Sequence, residues 1–173
     1  HLAGNTTASF FNWEQLRDLS PPGLLNGSFF MKNCDVPEGD RQLADLAAQW
    51  LKDHDTTFAF VYLGYTDIAG HNHGWMSEPY IEGIANADGC IGAVLDAAAD
   101  DCLVILTSDH GGHGQSHGTD CVEDMTTPLV IAGPGIAEGI TLEKQVHITD
   151  IAPTVTRHLG LQAPDDWIGE AII

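Results

Sequence analysis

The stretch CLVILTSDHGGHGQSHGTD, Cys102 to Asp120, decides how the rest of the chain is read. Its first five residues form an unbroken apolar run, as in a strand covered on both faces. The fourteen that follow hold three histidines, two aspartates and four glycines. A side chain leaving a strand end has a fixed origin, and glycine lets the backbone turn tightly, so several imidazoles and carboxylates can face one point. Metal sites are built in this way. A second apolar run, FAFVYL from Phe58 to Leu63, leads similarly into YTDIAGHNHG, Tyr65 to Gly74. If the two strands are parallel neighbours, their ligand-rich loops lie side by side.

Around these two junctions the pattern is that of an α/β protein. Leu43, Leu46, Ala47, Trp50 and Leu51 recur at helical steps behind Asp40, which stands where an N-cap is expected. Ser77-Glu78-Pro79 opens a second helix, with Tyr80, Ile84, Ala87, Ile91, Val94 and Leu95 as its expected buried stripe. Gly83, Gly89 and Gly92 within it point to close packing. Thr127–Ala132 reads as a short strand, Ile140–Val146 as another, and Thr149–Leu159 as a last helix stopped by Gly160. Helix and strand in alternation imply a sheet with parallel strands and right-handed crossovers. Ligands of such sheets sit beyond the carboxyl ends of the strands, where both clusters fall. Residues 1–39 lack periodicity and are rich in Gly, Asn, Ser and Pro. They read as an irregular lead-in or cap remnant with at most a short helix over Trp13–Leu19, and residues 40–173 as the domain proper.

The formal charge of −19, from 25 acidic against 6 basic residues, repels phosphate backbones and anionic bilayers, which argues against nucleic-acid and membrane partners. No apolar stretch reaches the length of a membrane span. The 173 residues suit one domain. Cys34, Cys90, Cys102 and Cys121 form no Cys-x-x-Cys pair. They read as free thiols, which points to a reducing, cytoplasmic setting.

Asp67 and His71 stand at a spacing that lets both reach one ion from a turn or a first helical turn. Taken alone, that pair is read equally well as ligands or as an ordinary polar pair. Asp109 and His110, with His113 and His117 behind them, are different: histidines grouped in a glycine loop after a buried strand have no packing reason to exist. His54 and His158 read as ordinary polar residues. His73, His113 and His147 are read either as ligands or as partners that hydrogen-bond ligands or substrate. Carboxylate and imidazole donors suit zinc, manganese or iron better than calcium, and the lack of thiolates argues against a zinc finger.

In order, the motifs are Asp67-x-x-x-His71 with Gly74 and Ser77-x-x-Tyr80, Ser108-Asp109-His110-Gly111, Ser116-His117-Gly118, Thr127-Pro128-Leu129 with Gly133-Pro134-Gly135, and Asp150-Ile151-Ala152-Pro153-Thr154. Together they resemble the alkaline phosphatase superfamily, its type I phosphodiesterase and nucleotide pyrophosphatase branch before the sulfatases, over roughly residues 40–173. The resemblance implies a three-layer α/β fold with a mostly parallel central sheet, here incomplete at its N-terminal side. It implies a hydrolase of small phosphate esters, of the phosphodiesterase and nucleotide pyrophosphatase type, with two divalent ions about 4 Å apart, Zn2+ first and Mn2+ second. Asp67, His71 and His117 would hold one ion, and Asp109 with His110 the other. The family completes the second ion with an aspartate and a nucleophilic Ser or Thr from an earlier segment. Thr6 and Thr7 have no aspartate upstream, so the nucleophile is expected before this chain and no catalytic residue is assigned within it. Alone, the chain is expected to bind metal with little turnover, and one sheet edge is expected to be either exposed or covered by a second copy in a homodimer. Sulfatase-like chemistry, phosphomutase-like chemistry and a metal-stabilised binding domain without catalysis are the alternative readings.

Overall fold

The computed structural model describes residues 4–21 and 23–173. They divide into two compact units, one built from the described part of His1–Ala99 with Gly112–Met125, the other from Asp100–Gly111 with Thr126–Ile173.

The first unit is an α/β layer around a parallel sheet. Its strands are β1 (Thr7–Phe11), β2 (Gly27–Phe30) and β3 (Phe58–Tyr62), ordered β2-β1-β3, with Phe10 opposite both Phe29 and Val61. The expectation that residues 1–39 are irregular is thereby corrected, for β1 and β2 both lie within them. The expected short helix does form, as a 3-10 helix over Glu14–Leu19. In β1 the alternation Ala8-Ser9-Phe10-Phe11 is too short and too mixed in size to show a period, yet all four side chains are buried because the strand is central and covered on both faces.

Helix α1 (Pro37–Asp53) lays Leu43 and Ala47 on Ala8 and Phe10. Phe29 stacks on Phe10 at 4.9 Å, and Trp50 meets Phe29 edge-on at 5.2 Å. Each of Phe10, Phe11 and Leu43 removes enough apolar surface from water to contribute roughly 1.5–3 kcal/mol. Asp40 is not the N-cap. The helix begins three residues earlier, with Val36 in the cap position and Pro37 in the first turn, where a missing N–H costs nothing. Asp40 is instead fully buried, and its Oδ1 accepts a 2.7 Å hydrogen bond from Asn12 Nδ2.

Beyond β3 the expected loop is a helix, α2 (Tyr65–His73), which ends at Gly74. Ser77 caps α3 (Glu78–Leu95) by accepting from Tyr80 N at 3.4 Å. The buried residues of α3 are Gly83 and Cys90, whereas Ile84 is 43 % and Leu95 42 % exposed, so the expected apolar stripe is only partly covered. Of the three glycines, Gly83 makes the close approach, against Ala69 and Tyr65 of α2; Gly89 and Gly92 face open space. Cys90 behaves as a buried thiol, and burial pushes its pKa to about 11. A four-residue helix, α4 (Val122–Met125), closes the later segment of this unit.

In the second unit β4 (Val104–Thr107) pairs antiparallel with β5 (Leu129–Ala132). Among the described residues β3 hydrogen-bonds to β1, and β4 to β5. The expected strand over residues 140–146 is not formed. Ile140 is 63 % exposed, and without a partner or a covering face an alternating run has nothing to hold it extended. Helix α5 (Ile151–His158) follows, and Gly160 turns the chain out of it with φ 65°. The Asp150 carboxylate accepts from His147 N and Glu170 N, both at 2.9 Å, and these N–H groups hold it below the usual carboxylate range. No helix of the described residues is long and apolar enough to cross a membrane.

Candidate metal centre

In the first unit, α2 carries Asp67 and His71 one turn apart, and a loop approaching the end of that helix supplies His117. His71 Nε2 lies 3.5 Å and His117 Nε2 3.6 Å from the same atom, Asp67 Oδ1, and the two imidazole centroids are 5.0 Å apart. Both separations exceed an N–H···O hydrogen bond, which spans about 2.7–3.2 Å. They match the edge of a tetrahedron whose donors each stand about 2.0–2.2 Å from a central zinc, an edge of roughly 3.4 Å. The donor set therefore fits a divalent ion.

The supports around these donors make the arrangement specific. His71 Nδ1 is 3.0 Å from the Gln115 carbonyl, which can only accept. The proton is thus assigned to Nδ1, and the Nε2 lone pair is turned toward Asp67, as in metal-bound histidines whose second nitrogen is held by a carbonyl. Gln115 Nε2 donates to Asn72 O at 3.2 Å, and Trp75 N donates to Gly114 O at 2.7 Å, so the 114–115 backbone is tied to the end of α2. The Trp75 indole stands edge-on to His71 at 5.2 Å and to His117 at 5.8 Å. Its ring fills a slot between Gly70 and Gly112, where a methyl group would come within 2.8 Å and 2.2 Å of indole carbons. Burial first, and the Asp67 charge second, push the Tyr80 hydroxyl above its usual pKa, so it keeps its proton and remains a donor.

The start of α2 is anchored from two other elements. Asn12, just past β1, accepts from Gly64 N at 3.0 Å, and the Asp40 carboxylate of α1 accepts from Tyr65 N at 3.3 and 3.4 Å. Burial raises the pKa of Asp40, while the hydrogen bonds from Asn12 and the backbone oppose that rise. Asn12, Asp40, Trp75 and Gln115 carry no ligand signature, and spacing alone could not single them out, whereas Tyr80 stands in the Ser77-x-x-Tyr80 motif. Trp75 between two glycine-containing segments is the one visible hint.

Asp109 and His110 belong to the second unit, at the end of β4. His110 Nδ1 is 2.7 Å from the Gly111 carbonyl and so carries its proton there, and His110 Nε2 is 3.8 Å from Asp109 Oδ2. Ser108 Oγ donates to His110 O at 2.8 Å, bending the chain so that adjacent residues can face the same way. His73 is exposed in the last turn of α2. His113 has its Nδ1 2.8 Å from Asp124 Oδ1, which, with the Asp124 charge, raises the imidazole pKa. His147 caps the 3-10 turn Ile148–Asp150.

The sequence model of the family described as Metalloenzyme superfamily matches residues 29–163. The 2,3-bisphosphoglycerate-independent phosphoglycerate mutase of Staphylococcus aureus strain Mu50 is 33 % identical over 135 residues, which cover 76 % of this chain and 26 % of that protein. The protein of the same name from Staphylococcus haemolyticus is also 33 % identical, and that from Staphylococcus epidermidis 32 %, with the same coverage. The chain thus spans about a quarter of the length of the relatives it matches.

Proposed function

The chain belongs to the metalloenzyme superfamily, and on that premise we propose that it forms the metal-holding part of an enzyme transferring phosphoryl groups on small phosphate esters, of the phosphomutase kind. The observation that carries this reading is the meeting of Asp67, His71 and His117 at coordination distance, with the His71 tautomer set by Gln115. The matched relatives bear the mutase name, which favours phosphomutase chemistry over the phosphodiesterase reading of the motifs. Asp67, His71 and His117 would hold one divalent ion and Asp109 with His110 a second. Carboxylate and imidazole donors accept Zn2+ and Mn2+ alike. When bound, such ions supply positive charge for the oxygens of a phosphoryl group in transfer.

The remaining steps fall to the chain itself. Gln115 O keeps the His71 proton on Nδ1, away from the ligand face. Trp75 packs edge-on against both imidazoles. Tyr80, still protonated, adds no second negative charge to the field of Asp67. Asn12 and Asp40 hold the first turn of α2, and with it the position of Asp67.

The test uses the intact protein supplied with Mn2+ or Zn2+, assayed for interconversion of 3- and 2-phosphoglycerate and, in parallel, for hydrolysis of bis-p-nitrophenyl phosphate. Metal-dependent isomerisation that is abolished in Asp67→Ala is the expected result. Diester hydrolysis with no isomerisation would overturn the mutase reading.

A further inference from the structure

A second group of donors in the first unit is separate in chemistry from the one above. His113 Nδ1 is 2.8 Å from Asp124 Oδ1 and 3.6 Å from Cys121 Sγ, and one donor atom from each of the three residues lies within 4.8 Å of the other two. Both neighbours approach the same ring nitrogen. A catalytic Cys-His-Asp relay needs the thiol on one imidazole nitrogen and the carboxylate on the other, so this is not such a relay. Three Lewis-basic atoms of different kinds instead face one point, where a single proton now stands between Nδ1 and Oδ1.

We infer that His113, Cys121 and Asp124 form a binding site for one soft divalent cation, Zn2+ or Cd2+, independent of the Asp67 centre. The Sγ···Nδ1 separation of 3.6 Å is the tetrahedral edge for bonds of about 2.3 Å to sulfur and 2.0–2.1 Å to nitrogen. Nδ1 and Oδ1 would part by about 0.5 Å as the ion displaced the proton, a small rotation for an imidazole half exposed on its loop. The outer contacts are already made. Asp124 is buried, its Oδ2 accepts from Thr119 N and Thr119 Oγ1, both at 2.8 Å, and Oδ1 is left toward the site. Thr119 Oγ1 in turn accepts from Cys121 N at 3.3 Å, so one residue orients two of the donors. Exposure of His113 gives an entry path and room for a water as fourth ligand. The thiolate sets the metal preference: Mn2+ suits the Asp67 set, whereas a Cys-containing set selects zinc and cadmium. A bound ion would clip together the two ends of the segment from His113 to Asp124, which carries His117.

The test is a titration of the intact protein with Cd2+, read by the ultraviolet charge-transfer band that only a cadmium–thiolate bond produces. One saturable band per chain is expected, absent in Cys121→Ser, weakened roughly tenfold or more in affinity in His113→Gln, and retained in Asp67→Ala. Circular dichroism of each variant checks its fold, and the histidine variant, which keeps the thiol, decides the matter if the serine variant misfolds. No band in the wild type, a band surviving in Cys121→Ser, or one unchanged in His113→Gln overturns the proposal. Loss of the band in Asp67→Ala would overturn its independence. Failure of the phosphomutase assay would leave the titration result untouched.

Discussion

Replacing Gly112 by alanine should disable the Asp67 centre without touching a ligand. The added methyl carbon would stand 2.2 Å from Trp75 Cε2 and 2.5 Å from Cδ2 and Nε1. Carbon atoms rest in contact at about 3.5 Å, so the indole has to withdraw by roughly 1.3 Å. Neither side can give easily. Trp75 N is held by Gly114 O at 2.7 Å, and Gly112 N by Glu123 O at 2.9 Å. The backbone at Gly112 has no positive φ, so the collision alone carries the effect. Overpacking of this kind costs about 1–3 kcal/mol. At roughly 2–4 °C per kcal/mol for a chain of this size, that is a loss readily seen in a melting curve. The displaced ring is the one packed on His71 and His117, and disturbing a group that orients metal ligands weakens binding about 10–100-fold. Metal affinity measured against a chromophoric chelator, together with the melting temperature, tests this. The same substitution should cost less in a Trp75→Phe background, since the smaller ring vacates part of the slot. A Gly112→Ala protein with wild-type melting and wild-type affinity would refute the argument.

Three further outcomes are expected. Saturating Mn2+, which the Cys-containing group does not favour, at about a hundred times its Kd should raise wild-type stability by roughly 2.7 kcal/mol, and Asp67→Ala should lose that gain in a thermal-shift titration; an undiminished shift would remove Asp67 from the ligand set. Asp40→Asn keeps the shape but turns an NH2 group toward either Asn12 or Tyr65 N, leaving a buried donor unmet, and should cost about 1–3 kcal/mol in denaturant unfolding. Because burial raises the pKa of Asp40, its share of stability is present below its unfolded value and fades as the pH climbs through the folded one. The gap between wild type and Asp40→Asn should therefore be wider at pH 4 than at pH 7, and a gap that grows with pH contradicts this. Asp150 has the opposite sign: its pKa is lowered by the His147 and Glu170 amides, so its contribution is present above the ordinary carboxylate range and lost on acidification. Melting temperature followed from pH 7 down to pH 3 should fall less steeply in Asp150→Asn than in wild type, and equal slopes would count against the clamp.

What the sequence alone determined is what depends on near neighbours in the chain. The periods of α1 and α3, the cap at Ser77, the stop at Gly160 and the order of carboxylates and imidazoles after two apolar runs are all local patterns, and the metal-dependent class followed from them. The tertiary structure alone decided what depends on distant partners. Strands β1 and β2 are five and four residues long, too short to display a period, and are strands because each completes the other's hydrogen bonds and both are covered by α1. Asp40 read as a cap because an acid before an apolar stripe usually is one; its role is set by Asn12 and Tyr65, 28 and 25 residues away. The run from Ile140 reads as a strand by composition but found no partner, and β4 pairs antiparallel with β5 from 22 residues further on. Spacing reports which residues share a face of one element. Which faces meet, and which glycine must make room for Trp75, is fixed only when close packing brings separate elements within van der Waals reach.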